Sequence, residues 1–166
     1  MSTPPFRIEA LGLHDRSGFS CGVEPLDSYV RNQVGQDIRR RVAACYVAVE
    51  MATDRMAGYY TLSAADVALT EIPSDLVRRL PRYPLVPVAR IGRLAVDTAF
   101  QGSKLGAALL FNAATRAARS EIAVFGLLVD AKDDRAEAFY RHHGFLRFGA
   151  DGRQMMAAIA TFRALL

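Results

Sequence analysis

Tryptophan is absent from this chain of 166 residues, cysteine occurs twice, and lysine stands only at positions 104 and 132. Each scarcity excludes something. Cys21 and Cys45 sit in apolar or turn contexts without metal-like spacing, so neither a disulfide framework nor a metal centre is expected, and a reduced, cytoplasmic protein is. No apolar run approaches the about 18 residues that cross a bilayer. Met1-Ser2-Thr3-Pro4-Pro5 has neither the basic nor the apolar region of a secretory leader, so no export or membrane role is expected. Internal repeats, low-complexity tracts and linker-like stretches are missing too. The expectation is one domain over residues 1–166, long enough to bury a full core, with 51% of its residues apolar.

The net charge of +4 is moderate, but all its cations other than the two lysines are arginines. A genome rich in arginine codons explains such an excess by itself. The clustering adds a second reading: Arg39-Arg40-Arg41 form one run, and Arg78, Arg79, Arg82, Arg90 and Arg93 crowd a second stretch. Arginine presents a planar donor fork that suits phosphate oxygens and stacks on bases, so a surface facing RNA is one use for these groups.

Periodicity gives the order of elements. Phe6-Arg7-Ile8-Glu9 alternates as a first strand. Leu26, Tyr29, Val30 and Gln33 mark a helix from Glu24 to about Gln36, with Pro25 in its first turn and a break at Gly35. A second short helix ends near the arginine run. Residues 44–49 and 56–63 form an antiparallel hairpin turning near Asp54. Four prolines between 71 and 87 predict a surface excursion with at most one short helix near 74–80, followed by a strand over 88–96. A helix from about Ser103 to Arg119 carries a polar stripe at Asn112, Thr115, Arg116 and Arg119. A buried strand over 124–129 ends in Asp130. Asp134-Arg135-Ala136-Glu137 reads as a capping box opening a helix that stops at Gly144, and residues 145–148 and 155–159 supply the last strands. The sum, β-α-α-β-β-β-α-β-α-β-β, is a layered α+β or α/β domain with helices on a mixed sheet.

Two motifs carry chemistry. Arg93-Leu94-Ala95-Val96-Asp97 is a strand that leads into Gln101-Gly102-Ser103-Lys104-Leu105-Gly106-Ala107, small or flexible residues that open a helix. Such an opening presents unpaired backbone N–H groups and the positive end of a helix dipole, a site for the pyrophosphate of a nucleotide-like cofactor, while the extended strand can hydrogen-bond an amide-bearing ligand laid along it. An ordinary strand-to-helix connection would look similar. The second motif is Ala138-Phe139-Tyr140-Arg141-His142-His143-Gly144-Phe145. Phe139 and Phe145 suit a core and Gly144 a helix end. Tyr140 can be partly buried and still act, because a phenol of pKa ~10 is neutral in the cell and can protonate a departing thiolate whose thiol has a pKa of ~8.5. His142 and His143 are sufficiently explained by the last helical turn, where cations are favoured.

With these residues in view, the chain resembles the GNAT (Gcn5-related) N-acetyltransferases. Phe19-Ser20-Cys21-Gly22 followed by Leu26-Asp27-Ser28-Tyr29, then 58–63, then Leu80-Pro81-Arg82-Tyr83-Pro84 ahead of Arg93–Val96, is similar to the GNAT-type toxins of bacterial type II toxin–antitoxin systems. The resemblance implies a mixed, mostly antiparallel sheet of about six to seven strands with helices on both faces. It also implies acetyl-CoA as cofactor, acetylation of the α-amino group on aminoacyl-tRNA, arrest of translation, a ribbon-helix-helix antitoxin as partner and a homodimer. Cofactor contacts fall on Leu94, Ala95, Val96, Gln101, Gly102, Ser103, Lys104, Leu105, Gly106 and Ala107, with Asp130 and Phe139 at the pantetheine end and Tyr140 as the catalytic acid. Arg78, Arg79, Arg82, Arg90 and Arg93 would face tRNA. No metal is implied.

One departure stands out. Gln101 and Gly106 fit the first and last places of the family's Gln/Arg-x-x-Gly-x-Gly/Ala motif, but Lys104 replaces its earlier glycine. If position 104 needs a positive φ, lysine impairs the turn; the reading preferred from sequence is that it is already helical, where lysine costs nothing and adds a cation near the phosphates. An aminoacyl ester's amine titrates below the ~7.7–8.0 of a peptide N-terminus, so it needs little help from a base, unlike a lysine amine near ~10.4. Two other readings remain open: a GNAT acetylating a small amine or a protein N-terminus, and a GNAT-shaped binding domain that no longer holds cofactor.

Overall fold

Alternation and helical spacing become seven strands and five helices in the computed structural model, which describes residues 5–149 and 152–162. The run Met1-Ser2-Thr3-Pro4, on which the expectation of no leader rests, lies outside the described residues. The strands β1 (Phe6–Ala10), β2 (Ala44–Glu50), β3 (Met56–Ala68), β4 (Leu85–Val96), β5 (Gly126–Asp130), β6 (Leu146–Arg147) and β7 (Gln154–Ala158) form one mixed sheet in the order β1-β2-β3-β4-β5-β7-β6. Contacts divide the chain into two compact units, Met1–Ser63 with Arg93–Ala113 and Ala64–Gly92 with Ala114–Leu166. β3 (Met56–Ala68), β4 (Leu85–Val96) and α4 (Leu105–Ala118) run through both.

In the first unit β1 (Phe6–Ala10) pairs antiparallel with β2 (Ala44–Glu50), and β2 with β3, from Ala44 opposite Leu62 to Val49 opposite Met56, with one register shift at Ala48/Val49. Between β1 and β2 lie α1 (Glu24–Asn32) and α2 (Val34–Arg39). The break between them falls at Gln33, not at Gly35, which α2 absorbs into its first turn. Arg40 caps α2 and Arg41 takes a left-handed φ of +60 just beyond it, so the arginine run is the helix terminus itself. Tyr29, Val30, Val34, Val47, Val49, Tyr59 and Ala95 are buried together. A Cβ built on Gly58 would lie 2.9 Å from Ala95 O and 3.0 Å from a Leu109 methyl, so only glycine lets β3 meet β4 and α4 this closely.

In the second unit Val88–Ile91 of β4 pairs parallel with Gly126–Val129 of β5 (Gly126–Asp130). β5 pairs antiparallel with β7 (Gln154–Ala158), and β7 with the short β6 (Leu146–Arg147). α5 spans Asp134–His142. Residues 71–87 are mostly exposed, as the prolines predict, but three apolar side chains anchor the stretch. Ile72, Leu76 and Val86 are buried in this unit's core, and α3 (Ser74–Val77) packs there through Leu76. Two strands also run further than periodicity showed. β3 continues to Ala68 through small or polar residues of weak strand preference, and β4 begins at Leu85, ahead of Pro87.

Candidate active site

The strand and the turn lie in the first unit. Along the end of β4, Ala95 is buried in the core, Leu94 and Val96 are half-buried, and Arg93 turns toward α1, its guanidinium 3.5 Å from the Tyr29 ring centre. Burial pushes the Tyr29 hydroxyl well above a phenol's usual pKa, and its hydrogen bond to Asp37 (2.8 Å) adds to this. A 3-10 turn, Thr98–Phe100, then leads through exposed residues 101–104 to α4.

Lys104 is not helical. It holds φ = +64, with α4 starting at the next residue, and Gly102 holds φ = +85. The preference for a helical Lys104 is therefore corrected, and the start of the helix moves from Ser103 to Leu105. A left-handed conformation costs an L-residue about 1–2 kcal/mol. Nothing lies within 4 Å of a Cβ built on Gly102, so the turn is open on that side. Ala108 donates back to Lys104 O at 3.2 Å, which leaves the amides around Ser103–Ala107 as the first, unpaired turn of a 14-residue helix. Amides left unpaired at a helix start, with the lysine ammonium of the residue before it, are a donor set that fits a diphosphate. Gln101 uses its side chain otherwise: the amide nitrogen donates to Cys21 O (3.2 Å) and Val96 O (3.0 Å).

Tyr140 lies in the second unit. It lies near the end of α5, 7% exposed, with Phe139 edge-on at 5.1 Å and Phe145 tilted at 5.3 Å between ring centres. Burial pushes its phenol up to about 12, and the negative charge of Asp130 adds to the shift. The group therefore keeps its proton throughout the physiological range. Asp130, at the end of β5, is ion-paired with Arg90. His143 meets Phe139 edge-on at 5.0 Å; its pKa is lowered by burial and by His142, which disfavours its charged form.

α5 is capped one residue earlier than the capping-box reading has it. Asp133 accepts from Ala136 N at 2.8 Å, which frees Glu137 for another task. Glu137 lies on the inner side of the helix and accepts from Arg141 (3.0 Å), Arg147 (3.0 Å) and Arg153 (3.3 Å). The hydrogen bond from Arg147 leads in holding its carboxyl below the usual range, ahead of the charges of the same three arginines. This clamp ties the helix that carries Tyr140 to β6 and to the chain before β7. Among the arginines expected to face RNA, Arg78, Arg79 and Arg82 are exposed, whereas Arg90 and Arg93 are engaged as described.

A family model described as an acetyltransferase (GNAT) domain matches residues 26–155. A protein of Mycobacterium tuberculosis (strain ATCC 25618 / H37Rv) described as a tRNA-acetylating toxin is 34% identical over 154 residues, covering 92% of this chain and 90% of that one. Among solved structures, AtaT complexed with acetyl-methionyl-tRNAfMet superposes with a TM-score of 0.87 at 26% identity, covering 96% of this chain and 98% of the other. AtaTR bound with acetyl-CoA gives 0.82 at 26% identity, with 97% and 98% covered.

Proposed function

This chain belongs to the acetyltransferase (GNAT) family, and from that membership we propose that it moves an acetyl group from acetyl-CoA to the α-amino group of the amino acid on a charged tRNA. In this reading it is the translation-blocking toxin of a type II toxin–antitoxin pair, a single acetyltransferase domain that works in the cytoplasm as a homodimer. A small ribbon-helix-helix antitoxin is its partner. The observation that carries the substrate is kinship: a tRNA-acetylating toxin is 34% identical across nine-tenths of both chains.

Bound acetyl-CoA supplies an acetyl group already activated as a thioester. The chain's own residues do the rest. Amides around Ser103–Ala107, aided by the Lys104 ammonium, hold the diphosphate. The backbone of Leu94–Val96 hydrogen-bonds the pantetheine arm and polarises the acyl carbonyl. Asp130 and Phe139 border the far end of that arm. A neutral amine forms the new C–N bond as the C–S bond breaks. Tyr140 gives its proton to the departing sulfur and regains one from the nitrogen through solvent, so no net charge is left. With its pKa pushed up to about 12, Tyr140 stays protonated at working pH but is a weak acid, so proton transfer accompanies C–S cleavage rather than preceding it.

The test is incubation with acetyl-CoA and total charged tRNA, with mass spectrometry of the released aminoacyl groups. Acetylated amino acid should accumulate with the wild-type protein. Tyr140→Phe should lower kcat by about 100-fold or more while acetyl-CoA affinity, read by calorimetry, stays within about twofold. Labelled small amines or protein N-termini in place of charged tRNA would move the activity to another acceptor. An unchanged kcat would remove Tyr140 from the chemistry.

A further inference from the structure

Phe19-Ser20-Cys21-Gly22 touches no reacting atom in the mechanism above, yet each backbone N–H and C=O of Phe19, Ser20 and Cys21 is hydrogen-bonded. Phe19 O accepts from Arg31 of α1 through two guanidinium nitrogens. Ser20 N donates to Asp97 Oδ2 (3.0 Å), and Ser20 O accepts from Thr98 N (2.9 Å). Cys21 N donates to Asp27 Oδ1 (2.8 Å), and Cys21 O accepts from Gln101 Nε2 (3.2 Å). Both carboxylates are buried, Asp97 at 1% and Asp27 at 3% exposure. Asp97 also takes Ala99 N (2.9 Å) and Arg55 Nη2 (3.4 Å) on its other oxygen. Gln101 faces two carbonyl oxygens, so its amide can serve them only through its NH2.

These bonds converge on the stretch that links β4 to α4. Within that stretch, Ser103 Oγ donates to Phe100 O and Phe100 N to Asp97 O. Its outer side is exposed, and it must keep Gly102 and Lys104 left-handed. A strained, exposed turn persists only where its surroundings over-determine it. We propose that Asp97 and Gln101 are positioning residues of the cofactor turn, which they clasp to residues 19–22 so that its amides are aimed before the diphosphate arrives. The segment from Phe19 to Gly22, seated by Asp27, is the fixed half of the clasp. Ordering the turn in advance removes a cost that binding would otherwise carry. The inference rests on the reading that this turn holds acetyl-CoA.

Gln101→Met keeps size and neutrality but removes the donor, and Asp97→Asn loosens the clasp from its buried side. Calorimetric titration with acetyl-CoA should give a Kd about tenfold weaker for each, with the circular dichroism of the wild type retained. Transfer from acetyl-pantetheine, which lacks the nucleotide and its diphosphate, should lose much less kcat/KM than transfer from acetyl-CoA in both variants. An unchanged Kd in folded Gln101→Met overturns the proposal, as does an equal loss with both donors, which would mark a general structural defect. If Asp97→Asn does not fold, the exposed Gln101 variant decides alone. Failure of the wild-type protein itself to bind acetyl-CoA would instead remove the acetyl-CoA reading, and the clasp's purpose with it.

Discussion

A lysine held at φ = +64 at the mouth of a diphosphate turn sets local stability against ligand charge at a single residue. Glycine there would relieve about 1–2 kcal/mol of left-handed strain and give back about 0.5–1 kcal/mol in unfolded-chain entropy. Lys104→Gly should therefore raise stability slightly, with a Tm higher by about 1–4 °C. The same change removes an ammonium from the turn, so acetyl-CoA affinity should fall, and fall more at low salt than at high salt. Melting curves and calorimetry at two ionic strengths check both halves. A gain in stability without a loss of affinity would make Lys104 a strained residue with no part in binding. The position was legible in sequence as a departure from a motif, but its backbone conformation was not, because small residues at a helix opening suit either conformation. Tyr140 was readable from its flanking Phe139, Gly144 and Phe145. The bond from Ser20 to Asp97 was not, since 77 positions separate the two and no local pattern links them.

Helix α5 shows the same contrast for a whole element. Its start and stop were close to legible, from acidic residues at one end and Gly144 at the other. What the capping-box pattern concealed was the use of Glu137, whose three arginine partners come from its own helix, from β6 and from Arg153. Because its folded-state carboxyl lies below the usual value, Glu137 contributes stability that is present above the unfolded pKa of ~4.3 and is lost as pH falls through the folded value. Wild type should thus melt higher than Glu137→Gln at pH 7 and near pH 5, and the two should converge well below pH 4.3. Differential scanning calorimetry across that range reads the gap; a gap independent of pH would mean that the clamp works by packing and not by charge. Residues 71–87 teach the converse lesson. Prolines correctly announced interrupted structure there, but Ile72, Leu76 and Val86 bury their side chains in the second unit. The stretch is mostly exposed, as irregular backbone suggests, and what the prolines concealed is the three buried anchors.

For the molecule as a whole, the element order was readable because strand alternation and helical spacing are local. The sheet order, in which β7 separates β5 from β6, depends on pairings that no window of sequence contains. Charge behaves likewise. A net +4 and two arginine clusters suggest a polyanionic partner, but ion pairing decides which of those arginines remain available. Arg90 is matched by Asp130, and Arg93 lies over Tyr29, so reversing either would disturb the protein before it disturbed any RNA. Arg78, Arg79 and Arg82 are exposed, and among the described residues their one ion pair is an open contact of 3.6 Å from Arg78 to Asp75, itself exposed. Replacing these three by glutamate should leave the fold and acetyl-CoA binding intact and weaken charged-tRNA binding. For every phosphate left without its arginine, the slope of log affinity against log salt should flatten by about 0.7–0.9. Filter binding over a salt series measures that slope. If affinity falls while the slope stays the same, the three arginines shape the docking surface without meeting phosphate, and if neither changes, tRNA is held by another face of the protein.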